Sequence, residues 1–109
     1  MSEFVDNLHE VFDQFGQIQA RKMFGGYGIY HDGLIFALVA DDALYLKADA
    51  GNRPWFDERG LPAFEYLKQG KTYKMSYHLA PEEIYDDAQR AAQWAARSFE
   101  AALRGRKKK

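Results

Sequence analysis

Three glycines fall within four positions of this chain, at Gly25, Gly26 and Gly28. They join two segments, residues 18–24 and 27–31, whose composition favours β-strands. Because glycine has no Cβ, it accepts positive φ angles and lets a neighbouring chain approach closely. The pattern therefore predicts a bend between two strands at Gly25 and Gly26 and close packing over Gly28.

A glycine-rich stretch can also hold a phosphate group, but the spacing here matches neither common motif. A P-loop requires a glycine followed by lysine and then serine or threonine, and no such sequence follows. The dinucleotide-binding fingerprint requires a glycine three residues after Gly28, where this chain has His31. We therefore interpret the glycines as structural and expect no cofactor.

Length, charge and cysteine content limit the class of protein. The chain has 109 residues, no cysteine and a formal net charge of -1, which indicates one domain without disulfides or thiolate metal sites. We expect this domain to span residues 1–104, followed by a basic tail over residues 105–109. No apolar segment approaches the roughly 20 residues of a membrane helix, and the N-terminus lacks a signal-peptide pattern. We therefore expect a cytoplasmic protein without membrane contact.

Helices are predicted where apolar residues recur at spacings of three and four and where end signals flank them. The first covers residues 3–15, with Ser2 as its N-cap. A short helix is expected over residues 53–59, which carry a proline in the first turn. The last helix opens near Pro81 and stops at Gly105.

Strands joined by tight turns are predicted between these helices. An Asp-Gly pair at residues 32–33 favours a two-residue hairpin turn. The strand after it, residues 34–39, is apolar on both alternating sides, which is typical of a central strand covered on both faces. Further strands are expected over residues 43–48, 63–67 and 72–79. The order helix, strands, short helix, strands, long helix predicts a two-layer α+β fold, with an antiparallel sheet and the helices on one side.

Catalytic and metal-binding patterns are weak. His9, His31 and His78 are far apart, and none has a second ligand at metal-binding spacing. Ser76 and His78 share one side of a strand, yet no nucleophile elbow surrounds them, so we interpret both as polar residues on the outer surface of the sheet. Tyr73 and Met75, on the other side of that strand, are interpreted as core. We predict that the chain is not an enzyme and holds no metal.

Two modes of binding remain open. A two-layer fold covers only one side of its sheet, so the apolar central strand predicts contact with a protein partner, such as a transcription factor, or with a second copy of the chain. Direct nucleic-acid binding is the alternative, since basic residues interleave with tyrosines and continue into the tail. Its candidate contact residues are Arg21, Lys22, Lys71, Lys74, Arg104, Arg106 and Lys107.

Residues 21–30, Arg-Lys-Met-Phe-Gly-Gly-Tyr-Gly-Ile-Tyr, resemble the signature of the N-terminal domain of the TfoX/Sxy family. The resemblance extends to Met-Ser-Tyr at residues 75–77, Pro-Glu-Glu at residues 81–83 and Trp94, and it covers roughly residues 4–103. The signature positions that we expect to be structural are Met23, Phe24, Gly25, Gly26, Gly28, Met75 and Tyr77.

This resemblance implies a fold similar to that of secretion chaperones and a regulatory role without catalytic residues. The members that give the family its name are positive regulators of natural competence, which act with the cyclic-AMP receptor protein at competence promoters. Those members carry a second, C-terminal domain, and we expect this chain to be a stand-alone N-terminal domain.

Overall fold

The computed structural model describes residues 3–23 and 25–107, in which six strands form one antiparallel sheet with three α-helices packed on one face. In chain order the elements are α1 (Glu3–Val11), β1 (Gln19–Met23), β2 (Gly26–His31), β3 (Leu34–Ala40), β4 (Ala43–Lys47), α2 (Arg53–Glu58), β5 (Ala63–Lys68), β6 (Lys71–Leu79), a 3-10 turn (Glu82–Tyr85) and α3 (Ala88–Lys107). The strands lie in the order β1-β2-β3-β4-β6-β5. The α+β class and the order of elements predicted from the sequence are confirmed.

The helix-covered face of the sheet is the hydrophobic core. Its strand residues are Ile29, Ala37, Val39, Leu44 and Leu46, and the helices contribute Val5, Leu8, Phe56, Ala91, Trp94 and Ala95. Alanines on α3 let this helix lie close to β3 and β4, which form the middle of the sheet. The core therefore runs along one side of the sheet, and the opposite side has no helix over it in the part of the chain that the structure describes.

The tight turns form as predicted. Asp32 and Gly33 both have positive φ, at 50° and 77°, which is the conformation of a two-residue turn that matches the twist of its strands. Asp41 and Asp42, between β3 and β4, also have positive φ, at 51° and 56°. Aspartate tolerates this region better than most residues, because its short polar side chain bonds to the local backbone.

A bulge in β3 places Phe36 in the core. The register between β2 and β3 shifts between Ile29 and Tyr30, so that Phe36 has no residue directly opposite. Its side chain is fully buried, with its ring centroid 5.7 Å from that of Phe12 and 5.3 Å from that of Phe15. The extra residue turns Phe36 to the helix side beside Ala37. Residues 36–39 are all buried, but Leu34 and Ile35 are only partly so, and the described helices cover one face of the strand instead of the predicted two.

Both long helices differ from their predicted limits. α1 ends at Val11, after which the chain turns at residues 12–15, where the N–H groups of Phe15 and Gly16 both donate to the carbonyl of Phe12. α3 starts at Ala88 rather than near Pro81, because the Asp87 side chain accepts from the next-turn N–H groups and caps the helix there.

The other end of α3 also differs. The helix passes through Gly105 and continues to Lys107, so the first three residues of the predicted tail, 105–107, are helical. A glycine in an exposed last turn costs about 1 kcal/mol relative to alanine, which a long helix tolerates. The predicted cap Ser2, the signature residue Phe24, and Lys108 and Lys109 lie outside the described residues.

The β6 faces are the reverse of those predicted. Alternation along the strand puts His78 on the helix side, where its ring centroid lies 5.0 Å from that of Phe56. Tyr73 lies on the opposite side and is 43% exposed, so it is not a core residue. The apolar side of β6 therefore lies on the uncovered face, which also carries Tyr45 of β4 and Tyr66 of β5.

Within the described residues, none of the helices combines the length and the apolar character needed to cross a membrane.

Candidate functional site

The uncovered side of the sheet carries a row of aromatic side chains, which we call the aromatic face. Ring centroids are 4.8 Å apart for Tyr45 and Phe64, 6.3 Å for Phe64 and Tyr66, and 5.5 Å for Tyr66 and Tyr73. The last two pairs are stacked, and Tyr66 and Tyr73 remain 40% and 43% exposed. Stacked, partly exposed tyrosines present a rigid apolar surface with polar rims, a composition that is enriched at binding sites.

The glycine stretch forms one end of this face. Gly25 has a φ of 79° and makes the turn between β1 and β2. A Cβ on Gly26 would lie 2.1 Å from the carbonyl oxygen of Val39, so only glycine lets β3 run this close. Over Gly28, the Sδ atom of Met23 and the Cδ1 atom of Ile35 occupy the space of a side chain.

A groove of about 650 Å³ lies between the glycine turn and β5. Its apolar lining includes Met23, Leu38, Phe64, Tyr66, Leu67 and Met75, and its polar residues are Asp41, Glu65 and Lys68. The volume is within the usual range of sites that hold a small ligand or a few side chains of a partner. Because methionine is flexible and polarizable, Met23 and Met75 can adapt to different apolar shapes.

Tyr77 lies under the middle of the aromatic face. It is buried, and burial, together with the nearby Tyr30, raises the pKa of Tyr77 to about 12. The Nζ atom of Lys47 lies 5.0 Å from the centroid of the Tyr77 ring, which is a cation–π distance. Of the signature residues with described positions, Met23, Gly25, Gly26 and Met75 line the groove, and Gly28 and Tyr77 lie beside it on the same face.

The candidate nucleic-acid contacts lie on three separate parts of the fold. Alternation puts Arg21 on the aromatic face, where its Cζ atom is 4.8 Å from the centroid of the Tyr30 ring, and puts Lys22 on the other side. Lys71 and Lys74 likewise point to opposite sides of the β5–β6 hairpin, and the Nζ atom of Lys74 is 3.8 Å from Glu65.

The remaining candidates are on α3. Arg104 makes two hydrogen bonds of 2.7 Å to the carboxylate of Asp49, and Arg106 is exposed. Lys107 is the last residue of the helix, and its side chain lies outside the described part of the structure. The structure therefore does not gather the predicted basic residues into one patch.

Two of the three histidines, His31 and His78, pack within the fold. The Nδ1 atom of His31 is 2.7 Å from the carbonyl oxygen of Gln17, and its ring packs on Phe15 and Phe99. The Nδ1 atom of His78 is 2.8 Å from the carbonyl oxygen of Leu61. His9 is exposed on α1, and the described residues contain no group of three or more metal-ligating side chains.

A charged cluster on the helix side was not predicted from the sequence. The Glu83 carboxylate accepts hydrogen bonds from Arg59, from Arg90 at 3.5 Å and from the indole N–H of Trp94 at 3.2 Å. These bonds, above all the one from Arg59, lower the pKa of Glu83. Glu83 thereby joins the 3-10 turn to α2 and α3. Nothing in the spacing of these residues reveals the contact, because they come from three separate elements.

Comparison with known proteins gives the family. The family model of the TfoX N-terminal domain matches residues 10–102, which include the glycine turn, the groove and the aromatic face. The chain belongs to the TfoX N-terminal domain family.

Curated relatives agree with this assignment. The chain is 27% identical to the DNA transformation protein TfoX1 of Aliivibrio fischeri over 77 residues, which are 71% of this chain and 37% of that protein. It is 26% identical to protein Sxy of Escherichia coli over 95 residues, 87% of this chain and 46% of Sxy. The chain thus spans less than half the length of these two relatives.

Proposed function

We propose that this chain is a non-enzymatic regulatory domain that acts in transcriptional regulation by binding another protein through its aromatic face. The observation that carries the proposal is the exposure of the stacked Tyr66 and Tyr73, at 40% and 43%, beside an apolar groove. Covering these exposed apolar groups with a partner lowers the free energy, because it removes apolar surface from water. The DNA transformation protein among its relatives supports a role in competence.

The lining of the groove is suited to binding a partner. It is mostly apolar, with Met23, Leu38, Phe64 and Met75 among its residues. Its charged residues, Asp41, Glu65 and Lys68, come from β5 and from the turn between β3 and β4. A regulatory domain needs only a surface of matching shape, which this groove and the tyrosines provide.

A second candidate, direct nucleic-acid binding, is favoured by one observation. The stacked pair Tyr66 and Tyr73 lies on the hairpin that also carries Lys68 and Lys71. Aromatic rings beside lysines can stack on the bases and contact the phosphates of a single strand. Such binding would weaken steeply as the salt concentration rises.

One set of measurements separates these candidates. Light scattering gives the oligomeric state, and interferometry measures binding to purified cyclic-AMP receptor protein and to single-stranded DNA. We expect protein binding that the Tyr66→Ser/Tyr73→Ser variant weakens by about 10-fold or more, as is typical when central aromatic residues are removed. The control is Tyr85→Ser, which removes a tyrosine of similar exposure, 39%, from the helix side.

The outcomes decide between the proposals. A strictly monomeric chain that binds neither the receptor protein nor a second copy would contradict the protein-binding proposal. Equal loss of binding in the Tyr85→Ser control would show that the aromatic face is not the contact surface. Salt-sensitive DNA binding that the Tyr66→Ser/Tyr73→Ser variant abolishes, without protein binding, would favour the second candidate.

A further inference from the structure

Three arginines lie along one side of α3, at positions 90, 97 and 104. Residues seven apart in an α-helix are separated by almost two full turns, so these side chains share one face. The first has a carboxylate partner, since Arg90 lies 3.5 Å from Glu83. The last has one as well, since Arg104 makes a bidentate pair with Asp49 at 2.7 Å.

The middle arginine has aromatic neighbours instead. The Cζ atom of Arg97 lies 3.8 Å from the ring centroid of Trp55 and 5.3 Å from that of Trp94. In residues 3–23 and 25–107, no carboxylate forms an ion pair with it. Stacking holds the guanidinium plane in place but leaves its N–H donors, which lie in that plane, available to a partner. Trp55 is 45% exposed, so this edge of α2 and α3 is open to solvent.

The charges around Arg97 favour an incoming anion. Arg59 and Arg90 repel its charge, whereas Glu83 and Glu100 attract it. Glu83 is already bonded to Arg59 and Arg90. Burial, followed by repulsion from these two arginines, lowers the pKa of Arg97. Arg59, Arg90 and Arg97 set against Glu83 and Glu100 leave this group with a net charge of +1. Arg59 and Arg90 both pair with Glu83, so Arg97 is the arginine of this group that has no ion pair among the described residues.

We propose that Arg97, stacked on Trp55, is a binding site for a carboxylate side chain from an acidic protein segment. A single carboxylate would neutralise the one uncompensated charge, and its two oxygens match the guanidinium fork as Asp49 matches Arg104. The site lies on the helix side of the sheet, so it is independent of the aromatic face.

Tryptophan fluorescence provides a direct test, because a ligand on Arg97 perturbs the adjacent indole of Trp55. The full chain is titrated with a hexaglutamate peptide and with a hexaglutamine peptide at constant ionic strength. We expect saturable binding of hexaglutamate alone. The Arg97→Gln variant should weaken this binding roughly 10- to 100-fold, the usual effect of removing a hydrogen bond to a charged group. Arg106→Gln, an exposed arginine on the same helix, is the matched control and should change it by less than about twofold.

Further arms make each outcome decisive. Arg97→Lys keeps the positive charge but lacks the planar guanidinium group, so it should also weaken binding. If circular dichroism shows that Arg97→Gln does not fold, Arg97→Lys replaces it in the test. Equal binding of both peptides, or equal effects of the Arg97 and Arg106 variants, would overturn the proposal. Inorganic phosphate that displaces hexaglutamate at a much lower concentration would overturn the assignment to a carboxylate and identify a phosphate site.

Discussion

The two faces of the sheet are both aromatic, but their side chains differ in chemistry and exposure. On the helix side, Phe12, Phe36 and Phe56 are completely buried and carry no polar atoms. On the aromatic face, Tyr66 and Tyr73 keep their hydroxyl groups and about two-fifths of their surface exposed. The first set packs against other elements of the same chain, whereas the second packs on its own members and otherwise faces solvent.

This difference separates stability from binding within one sheet. Burial of apolar groups on the helix side provides most of the free energy of folding, because that area is removed from water. The aromatic face adds little to folding while exposing apolar area that a partner can cover. The following predictions test this division, from the largest expected effect to the smallest.

Phe36→Ala should cause the largest loss of stability. Its ring fills the centre of the helix-side core, against Phe12 and Phe15, and removing it leaves a cavity. We expect the free energy of unfolding to fall by about 3–5 kcal/mol, as is typical of phenylalanine truncation in a core. Urea denaturation followed by circular dichroism measures this value. A loss below about 1 kcal/mol would show that the helix side is not the main source of stability.

Gly26→Ala should be the next most destabilising change. The added Cβ would meet the Val39 carbonyl oxygen at 2.1 Å, so the backbone of β2 or β3 must move. The usual loss on overpacking is about 1–3 kcal/mol, and we expect a value at the upper end because the contact is with backbone. Gly25→Ala is the matched control, because its Cβ would contact nothing within 4 Å and the change costs only the strain of a positive φ, about 1–2 kcal/mol. A larger loss for Gly25→Ala than for Gly26→Ala would contradict the close approach of β3.

The Tyr66→Ser/Tyr73→Ser variant should lose little stability even though it removes two rings. Because both side chains are partly exposed and no described helix covers them, we expect a smaller loss than for Phe36→Ala. The stacked pair itself contributes about 0.5–1.5 kcal/mol beyond the area that the two rings bury. The same denaturation measurement compares it with Phe36→Ala. If this variant were destabilised as strongly as Phe36→Ala, the two faces would contribute equally, and the proposed division would be wrong.

The smallest effect is expected from the pH dependence of the pair Asp49 and Arg104. The hydrogen bond from Arg104 is the main reason why the pKa of Asp49 falls from 3.8 to about 2. Because the folded pKa is below the unfolded one, the pair stabilises the fold above about pH 4, and this contribution is lost as the pH falls towards 2. For a partly exposed pair we expect at most about 1 kcal/mol.

Unfolding curves of the wild type and of Arg104→Gln at several pH values test this expectation. The two free energies of unfolding should differ at neutral pH and converge near pH 2. A difference that stays constant over this range would show that Arg104 stabilises the helix by packing and not through Asp49. Carboxyl NMR gives the pKa of Asp49 in each variant directly.

Local signals explain which parts of the fold could be predicted. The Asp-Gly turn at residues 32–33 requires only positive φ angles, which the two residues accept without help from the rest of the chain. The same holds for Gly25, which has a φ of 79°, whereas Gly26 is required by the close approach of Val39 in β3. By contrast, the sequence contains two possible start signals for α3, Pro81 and Asp87. Only the structure shows that Asp87 caps the helix, which begins at Ala88.

The candidate site was predicted only in outline. The two-layer fold predicted correctly that one face of the sheet is uncovered. The sequence analysis was wrong about β6, because it assigned Tyr73 to the core and His78 to the outer surface. Alternation fixes which residues of β6 share a side, yet it does not say which side the helices cover. That choice depends on how β6 pairs with β4, where His78 lies opposite Leu46 in the core row.

By itself the sequence determined the α+β class, the order of the elements, the tight turns and the family, because each depends on short-range patterns or on motifs read along the chain. Only the tertiary structure decided which face of β6 is buried, that the bulge places Phe36 in the core, and which arginines of α3 form ion pairs with a carboxylate. These features depend on contacts between residues far apart in the chain, such as Asp49 and Arg104. No local pattern encodes the distance between such residues, which is set only when the whole chain packs.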